Sequence, residues 1–367
     1  MSSSLQIAFF GSSLVSAYWN GAATYYRGLV RALAERGHHI TFYEPDAFER
    51  QAHRDIEDPP WARVVVYPAQ DTSQVAKALH SARHADIIVK ASGVGVHDEF
   101  LEREVLSLRR PGNRVIFWDV DAPATLERLA ANGDDAFHRL IPAYDLILTY
   151  GGGPPVIEAY RARGAARCVP IYNAVDPREH HPAPVDARFR AALGFLGNRL
   201  PDREERVREF FFKAARALPD ETFLLAGSGW DEGAGAPSNV KLLGHLYSRD
   251  HNAFNCTPRA VLNVNRNSMA QTGFSPPTRV FEAAGAGACL LLDAWDGIDC
   301  FLQPDEEVLV VHGGDEVAAV LRDLTPARAR KIGEAAKARV LRDHTYTHRA
   351  VEVEAALESQ TPKGVAA

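Results

Sequence analysis

The sequence predicts an α/β protein of two lobes, each a parallel sheet covered by helices. Three observations predict it. Short runs rich in β-branched and aromatic residues alternate with longer amphipathic stretches from end to end, the pattern of parallel strands joined by helical crossovers. The scheme runs twice, and its halves are separated by residues 176–184, where Pro177, Pro182, Pro184 and the pair His180 and His181 leave neither a helical nor a strand period. The length of 367 residues corresponds to two or three domains of about 150 residues each.

Taken in order, the first lobe spans 1–175, with strand runs at 5–10, 40–43, 87–90, 114–118, 146–150 and 168–171. The hinge is placed at 176–184. The second lobe, 185–342, repeats the scheme with runs at 195–196, 223–226, 240–242, 261–264, 289–292 and 308–311. From Pro326 the chain reads as helical to about Leu357, with one break at 344–347. The closing segment, 343–367, ends in a small polar tail that is expected to fray.

Composition narrows the function. Lys plus Arg total 41 against 47 Asp plus Glu, a formal charge of −6, so no global positive field draws the chain onto nucleic acid or an anionic membrane. The four cysteines, Cys168, Cys256, Cys289 and Cys300, form no C-x-x-C pair and no disulfide framework, which suits a cytoplasmic setting. Apolar runs such as 64–66, 288–292 and 308–311 fall far below the ~18 residues that span a bilayer. The first ten residues lack a basic flank and a cleavage site, so no secretory signal is expected.

In open α/β sheets ligands gather at the carboxyl ends of strands, where loops meet helix N-termini. The stretch 11–24, which leads from the first strand run into a helix beginning near Ala22, is long and carries Gly21 at the helix entrance, but it lacks the G-x-G-x-x-G spacing of a dinucleotide site. Gly21 reads either as a backbone approach to an acceptor or phosphate, or as an ordinary connection. Asp119 and Asp121 follow the fourth run. One could act as general base toward a sugar hydroxyl, and Asp119 is the better candidate because Asp121 suits a cap for the helix that Pro123 begins. Gly151 to Gly153 ahead of Pro154 and Pro155 read as an anion-accepting turn or a plain one.

The second lobe carries more. Arg199 and Arg203 flank Pro201 in a strand-to-helix loop; guanidinium groups there can hold a diphosphate, or the region is simply a solvated basic helix start. Gly227 and Gly229 end a buried strand and permit close backbone approach to a ligand. Leu246 and Tyr247 follow another strand, in a loop able to hold a planar base and stack it on a ring. The richest stretch holds Ser268, Gln271, Thr272 and Gly273 in a polar loop, then a proline-initiated helix with Arg279 and Glu282 on one face. A lone carboxylate in that apolar setting needs a partner. A ribose diol would supply one, with the loop N–H groups and the Thr272 hydroxyl on the phosphates; an internal Arg279–Glu282 ion pair is the alternative.

At these residues the sequence resembles a glycosyltransferase of the two-lobed GT-B fold, in particular the CgeB-like, spore-maturation-type group beside the large retaining family 4. The resemblance is carried by the stretch from Tyr172 to Pro177, by Gly197, Asn198 and Arg199, by the stretch from Arg279 to Asp293, and by that from His344 to Arg349. It implies a nucleoside diphosphate sugar held by the second lobe, with Glu282 on the ribose and arginines on the diphosphate. It also implies an acceptor in the first lobe, chemistry in the cleft between them, no metal and no separate cofactor, and a last helix returning to the first lobe. Two family 4 residues are replaced: the second glutamate by Phe274, and the histidine after the fourth strand by Trp118 beside Asp119. Retention and inversion therefore both stay open.

The expected activity is transfer of a glycosyl group, hexosyl or related, from a nucleoside diphosphate sugar to a hydroxyl, with UDP-linked donors favoured. Arg199, Arg203 and Arg279 would stabilise the departing diphosphate, and Asp119 would be the base in an inverting reaction. Acceptors could be a small molecule, a glycan or a protein; nucleic acid is not expected, and a homodimer stays open. The competing readings are an epimerase or hydrolase acting on nucleotide sugars and a silent nucleotide-sugar-binding protein.

Overall fold

The structure, a computed structural model, describes residues 4–230 and 235–358. The chain divides into two compact units: the first runs to Tyr172 and takes up the chain again at Tyr346, and the second is Asn173–Thr345. Residues 176–184, expected as the hinge, fall inside the second unit. The tail beyond Glu358 lies outside the described residues.

In the first unit seven strands form one sheet: β1 (Gln6–Phe10), β2 (His39–Asp46), β3 (Arg63–Pro68), β4 (Ile87–Ala91), β5 (Arg114–Asp119), β6 (Leu146–Thr149) and β7 (Cys168–Pro170). Their order is β3-β2-β1-β4-β5-β6-β7 and every pair is parallel. Parallel strands are covered on both faces, and Phe10, Ile88, Phe117 and Leu148 are accordingly sealed from solvent. No strand is expected at 63–68 from the residue pattern, yet β3 forms there. Its three consecutive valines read only as an apolar run, because this strand sits at the sheet edge and leaves Val66 exposed. The closing helix Tyr346–Glu358 packs on helix Ala23–Glu35 so tightly that a methyl group at Gly28 would lie 2.1 Å from the Tyr346 ring. Glu354 anchors it by accepting from Arg36 at 2.7 and 2.5 Å, and it lies 3.0 Å from His38 Nε2.

The second unit repeats the plan with β8 (Leu193–Leu196), β9 (Phe223–Ala226), β10 (Val240–Gly244), β11 (Ala260–Asn263), β12 (Leu290–Asp293) and β13 (Leu309–Val311). The order is β10-β9-β8-β11-β12-β13, again all parallel. Leu193, Phe211, Phe223, Leu291 and Val311 fill its core.

In both sheets the strand order reverses beside the first strand, between β1 and β4 and between β8 and β11. Loops leaving the two sides of such a switch point diverge and open a crevice at the carboxyl edge. The candidate residues are found at these two edges.

Candidate nucleotide-sugar site

At the switch point of the second sheet, the loop after β8 is held from behind. The Gly197 carbonyl accepts from Trp230 Nε1 at 2.8 Å, the Gly197 N–H donates to Ala226 at 2.8 Å, and Asn198 Oδ1 accepts from the Ser228 N–H at 2.9 Å. Gly227, at φ +134°, lies so close that a Cβ there would meet the Gly197 oxygen at 2.2 Å. The close approach expected of Gly227 is thus to its own neighbouring loop. Gly229, at φ +85°, likewise packs on Arg199, whose Cβ would be 3.1 Å from an added methyl.

The two arginines of this loop part company. Arg199 is clamped by Glu204, which accepts from its Nε at 2.7 Å and its Nη2 at 2.9 Å and also pairs with Arg208. Hydrogen bonds from Arg199 and then Arg208 hold the Glu204 carboxyl down at about 2. Arg199 is therefore held by a carboxylate that it shares with Arg208, where a free diphosphate ligand was expected. Arg203, in the first turn of helix Pro201–Val207, makes no ion pair among the described residues. Its Nη2 donates to the Asn198 carbonyl, and its Nε is buried without a hydrogen-bond partner. Burial and the Arg279 guanidinium push its pKa down to about 10, with Arg266 adding to the effect and Asp202 opposing it. Arg203, Arg279 and Arg266 thus lie within electrostatic reach of one another, Arg279 paired with Glu282 and Arg266 with Asp202.

Arg279 and Glu282 lie on helix Thr278–Ala286. The ion pair named as the alternative is present, with Arg279 Nη1 3.3 Å from Glu282 Oε2, and the carboxylate is 97% buried. Glu282 also faces His180 Nε2 at 3.9 Å, and His180 Nδ1 is buried without a partner. His251 Nδ1 lies 3.3 Å from Arg279, and burial together with that guanidinium pushes its pKa down to about 4. His180, His251 and Arg266 are functional candidates that the sequence did not single out.

Residues 267–272, expected as a loop, form a short helix, Asn267–Thr272, ending at Gly273 with φ +69°. The Thr272 hydroxyl is consequently spent on the Ser268 carbonyl at 2.8 Å and has no proton left for a phosphate. The hydroxyl without a partner is that of Ser268, which is buried. Gln271 is exposed, while Gly273 backs onto Asp296. Behind these loops Asp293 binds Arg206 at 2.5 Å and accepts from the Asn265 N–H at 3.1 Å, which fixes the loop after β11. After β10, Leu246 is half-buried and Tyr247 is 62% exposed, its ring edge-on to His245 at 4.8 Å.

The first unit corrects the expected base. Asp119 is completely buried and accepts four hydrogen bonds, from Ser92 Oγ at 2.7 Å, Thr125 Oγ1 at 3.0 Å, the Asp121 N–H at 3.1 Å and the Tyr160 hydroxyl at 2.5 Å. Burial pushes its pKa up. With no face open to an acceptor, Asp119 is a structural hub. Asp121 stands at the start of helix Ala122–Ala131 but makes no capping hydrogen bond with its side chain. Gly21 has ordinary backbone angles, and a methyl there would meet nothing within 4 Å. At 152 and 153 both glycines adopt positive φ, as a tight turn needs.

The two-sheet architecture has close counterparts. Sucrose-phosphate synthase from Thermosynechococcus elongatus superimposes with a TM-score of 0.69 at 15% identity, covering 96% of this chain and 98% of that one. An α-glucosyltransferase in complex with UDP and a 13-mer DNA gives a TM-score of 0.72 at 11% identity, covering 97% and 100%. The fold is GT-B.

A third GT-B structure, Anabaena Alr3699/HepE in complex with UDP and glucose, matches with a TM-score of 0.67 at 15% identity over 97% of this chain and 100% of that one. Residues 203–355 match the family model described as "Glycosyl transferase-like", which takes in Arg203, Arg279 and Glu282 of the GT-B second unit. No curated protein sequence matches the chain. Among the described residues no helix is long and apolar enough to cross a membrane, and no group of three or more His, Cys, Asp or Glu is placed to hold a metal ion.

Proposed function

We propose that the protein is a glycosyltransferase that takes its sugar from a nucleoside diphosphate donor, UDP-linked in first place, and passes it to an acceptor hydroxyl. One observation carries the reading: Arg203, at the carboxyl edge of the second sheet, has no carboxylate partner among the described residues and an unpaired Nε, and stands beside Arg279. Leaving such a charge unmatched is costly unless an anion comes to it. A diphosphate would do so, and its charge grows as the glycosidic bond breaks, so fixed guanidinium groups there favour the transition state over the bound donor. No metal is assigned to this role.

The remaining roles follow. Glu282 accepts from the ribose hydroxyls and the Tyr247 ring stacks on the base. Ser268 Oγ donates to a phosphate oxygen or a sugar hydroxyl. The GT-B neighbours named above as complexes with UDP support the choice of nucleotide. The CgeB-like group and a cytoplasmic setting, both implied at the sequence level, belong to the same reading.

The test is a thermal-shift screen against UDP-, GDP-, dTDP-, ADP- and CMP-linked sugars, followed by incubation of the stabilising donor with and without acceptors. A ligand that binds only the folded state raises its melting temperature. Stabilisation by one donor class, with sugar released mainly onto an acceptor, is the expected result. Epimerised sugar or rapid free sugar without acceptor would replace transfer by the other chemistry.

A further inference from the structure

Every exposed aromatic ring among the described residues lies in a loop at the carboxyl edge of a sheet. Tyr247 is one, and the other three are in the first unit: Trp19 (57% exposed) and Tyr18 (36%) after β1, and Phe48 (52%) after β2. Exposed rings gathered in one place mark a binding surface. Two of these rings sit on a strained backbone, as does the neighbouring Glu49. Trp19, Phe48 and Glu49 have φ of +47°, +56° and +57°, values that side-chain-bearing residues rarely adopt. Strain of this kind persists where the surroundings over-determine it, typically at ligand clamps.

The device that imposes it is Arg50. It is 94% buried, and its guanidinium donates to the carbonyls of Ser12 at 3.2 Å, Val94 at 3.3 Å and Trp19 at 3.5 Å while lying 4.9 Å from the centre of the Phe48 ring. One side chain thus fixes the loops after β1, β2 and β4 and sets the Trp19 backbone and the Phe48 ring around itself. Tyr18 is positioned separately, stacked on His53 at 4.1 Å and edge-on to Trp19 at 6.4 Å. Rigid rings that present their faces without further ordering bind flat partners at low entropic cost.

The surroundings choose the partner. Residues 44–60 carry six carboxylates; Glu44 is buried and Asp55 and Asp58 are paired with Arg27 and Arg54, which leaves Asp46, Glu49 and Glu57 on the surface, while Arg50 is buried. Such a rim repels phosphates and polyanions. None of the exposed aliphatic residues among the described ones, Val66, Val185, Leu341 and Val351, belongs to these loops, so a lipid chain finds no continuous apolar track. What remains is a ligand with one flat C–H face for the electron-rich rings and hydroxyl hydrogens for the carboxylates.

We infer that the acceptor is a neutral saccharide, seated with a pyranose C–H face on the rings of Trp19 and Phe48. This deepens the glycosyltransferase reading and rests on it. Arg50 is the positioning residue of the surface.

The full chain is titrated with maltotriose, cellotriose, xylotriose and chitotriose, with and without UDP, using tryptophan fluorescence and saturation-transfer NMR. Trp19→Gly and Phe48→Gly remove each ring while glycine keeps the positive φ at no steric cost. At least one trisaccharide is expected to bind, with affinity falling tenfold or more in either variant while UDP affinity and melting temperature hold. Absence of binding by all four, binding indifferent to both variants, or ring-dependent binding of a heparin fragment or of phosphatidylglycerol vesicles instead would overturn the inference. None of these outcomes needs turnover, so a failure here leaves UDP binding intact, whereas loss of UDP binding alone would strike the donor reading.

Discussion

The carbonyl oxygen of Gly197 lies 2.2 Å from the point where Gly227 would carry a Cβ. That space is closed to every other residue, and the φ of +134° at Gly227 adds strain to any side chain. Gly227→Ala is expected to cost about 3 kcal/mol or more, from overpacking and backbone strain together, and to displace the loop after β8. Gly21→Ala, where a methyl meets nothing within 4 Å, is expected to leave the melting temperature within a degree. Chemical denaturation of the two variants checks the contrast.

Asp119 collects three hydroxyl groups and a backbone N–H in the first unit. Removing a buried acceptor leaves its donors unsatisfied, at a cost of about 3–5 kcal/mol. Asp119→Ala should therefore melt at a much lower temperature, with Asp119→Asn intermediate. At a temperature where the Asn variant is folded, it should retain substantial turnover. A loss of turnover of a thousandfold or more in folded Asp119→Asn would instead restore it as the base.

His251 links stability to pH. Its pKa is pushed from 6.5 down to about 4 by burial and the Arg279 guanidinium, with Glu282 opposing. The unfolded chain then binds a proton between these values while the folded one does not, so stability is full above about 6.5 and falls as pH drops toward 4. At 1.36 kcal/mol per unit the ceiling is about 3 kcal/mol. Denaturation midpoints measured from pH 7 to pH 4 should fall less steeply in His251→Gln than in the parent.

Glu282 offers a test confined to one part of the ligand. A carboxylate that accepts from the ribose 2′-hydroxyl distinguishes UDP from 2′-deoxy-UDP by about tenfold, the size of one charge-assisted hydrogen bond. Glu282→Gln should narrow the ratio to about twofold in calorimetry while leaving the fold intact. An unchanged ratio would assign the carboxylate to Arg279 and His180 alone.

Much of this was legible in the sequence because buried parallel strands announce themselves as short apolar runs. All six strands of the second unit fall on the runs expected, and the edge strand β3 escaped because burial on one side only weakened its signature. The site was legible as a neighbourhood and less so atom by atom. The two-residue spacing of Asp119 and Asp121 could not tell which was sealed by Tyr160, 41 positions away. Thr272 lost its free proton to a helix that a polar sequence did not announce. The partners that decide charge are remote in sequence, as with His251 and Arg279, 28 apart, or Arg266 and Asp202, 64 apart.

The most direct measurement is UDP binding by calorimetry to the parent protein and to Arg203→Gln, with melting temperatures alongside. The parent should bind, and the variant should lose ten- to a hundredfold in affinity while melting at the same temperature or higher, because a half-buried charge with no ion-pair partner among the described residues has been removed. Equal affinities in the two proteins would contradict the account, since the uncompensated guanidinium at the switch point would then have no anion to serve.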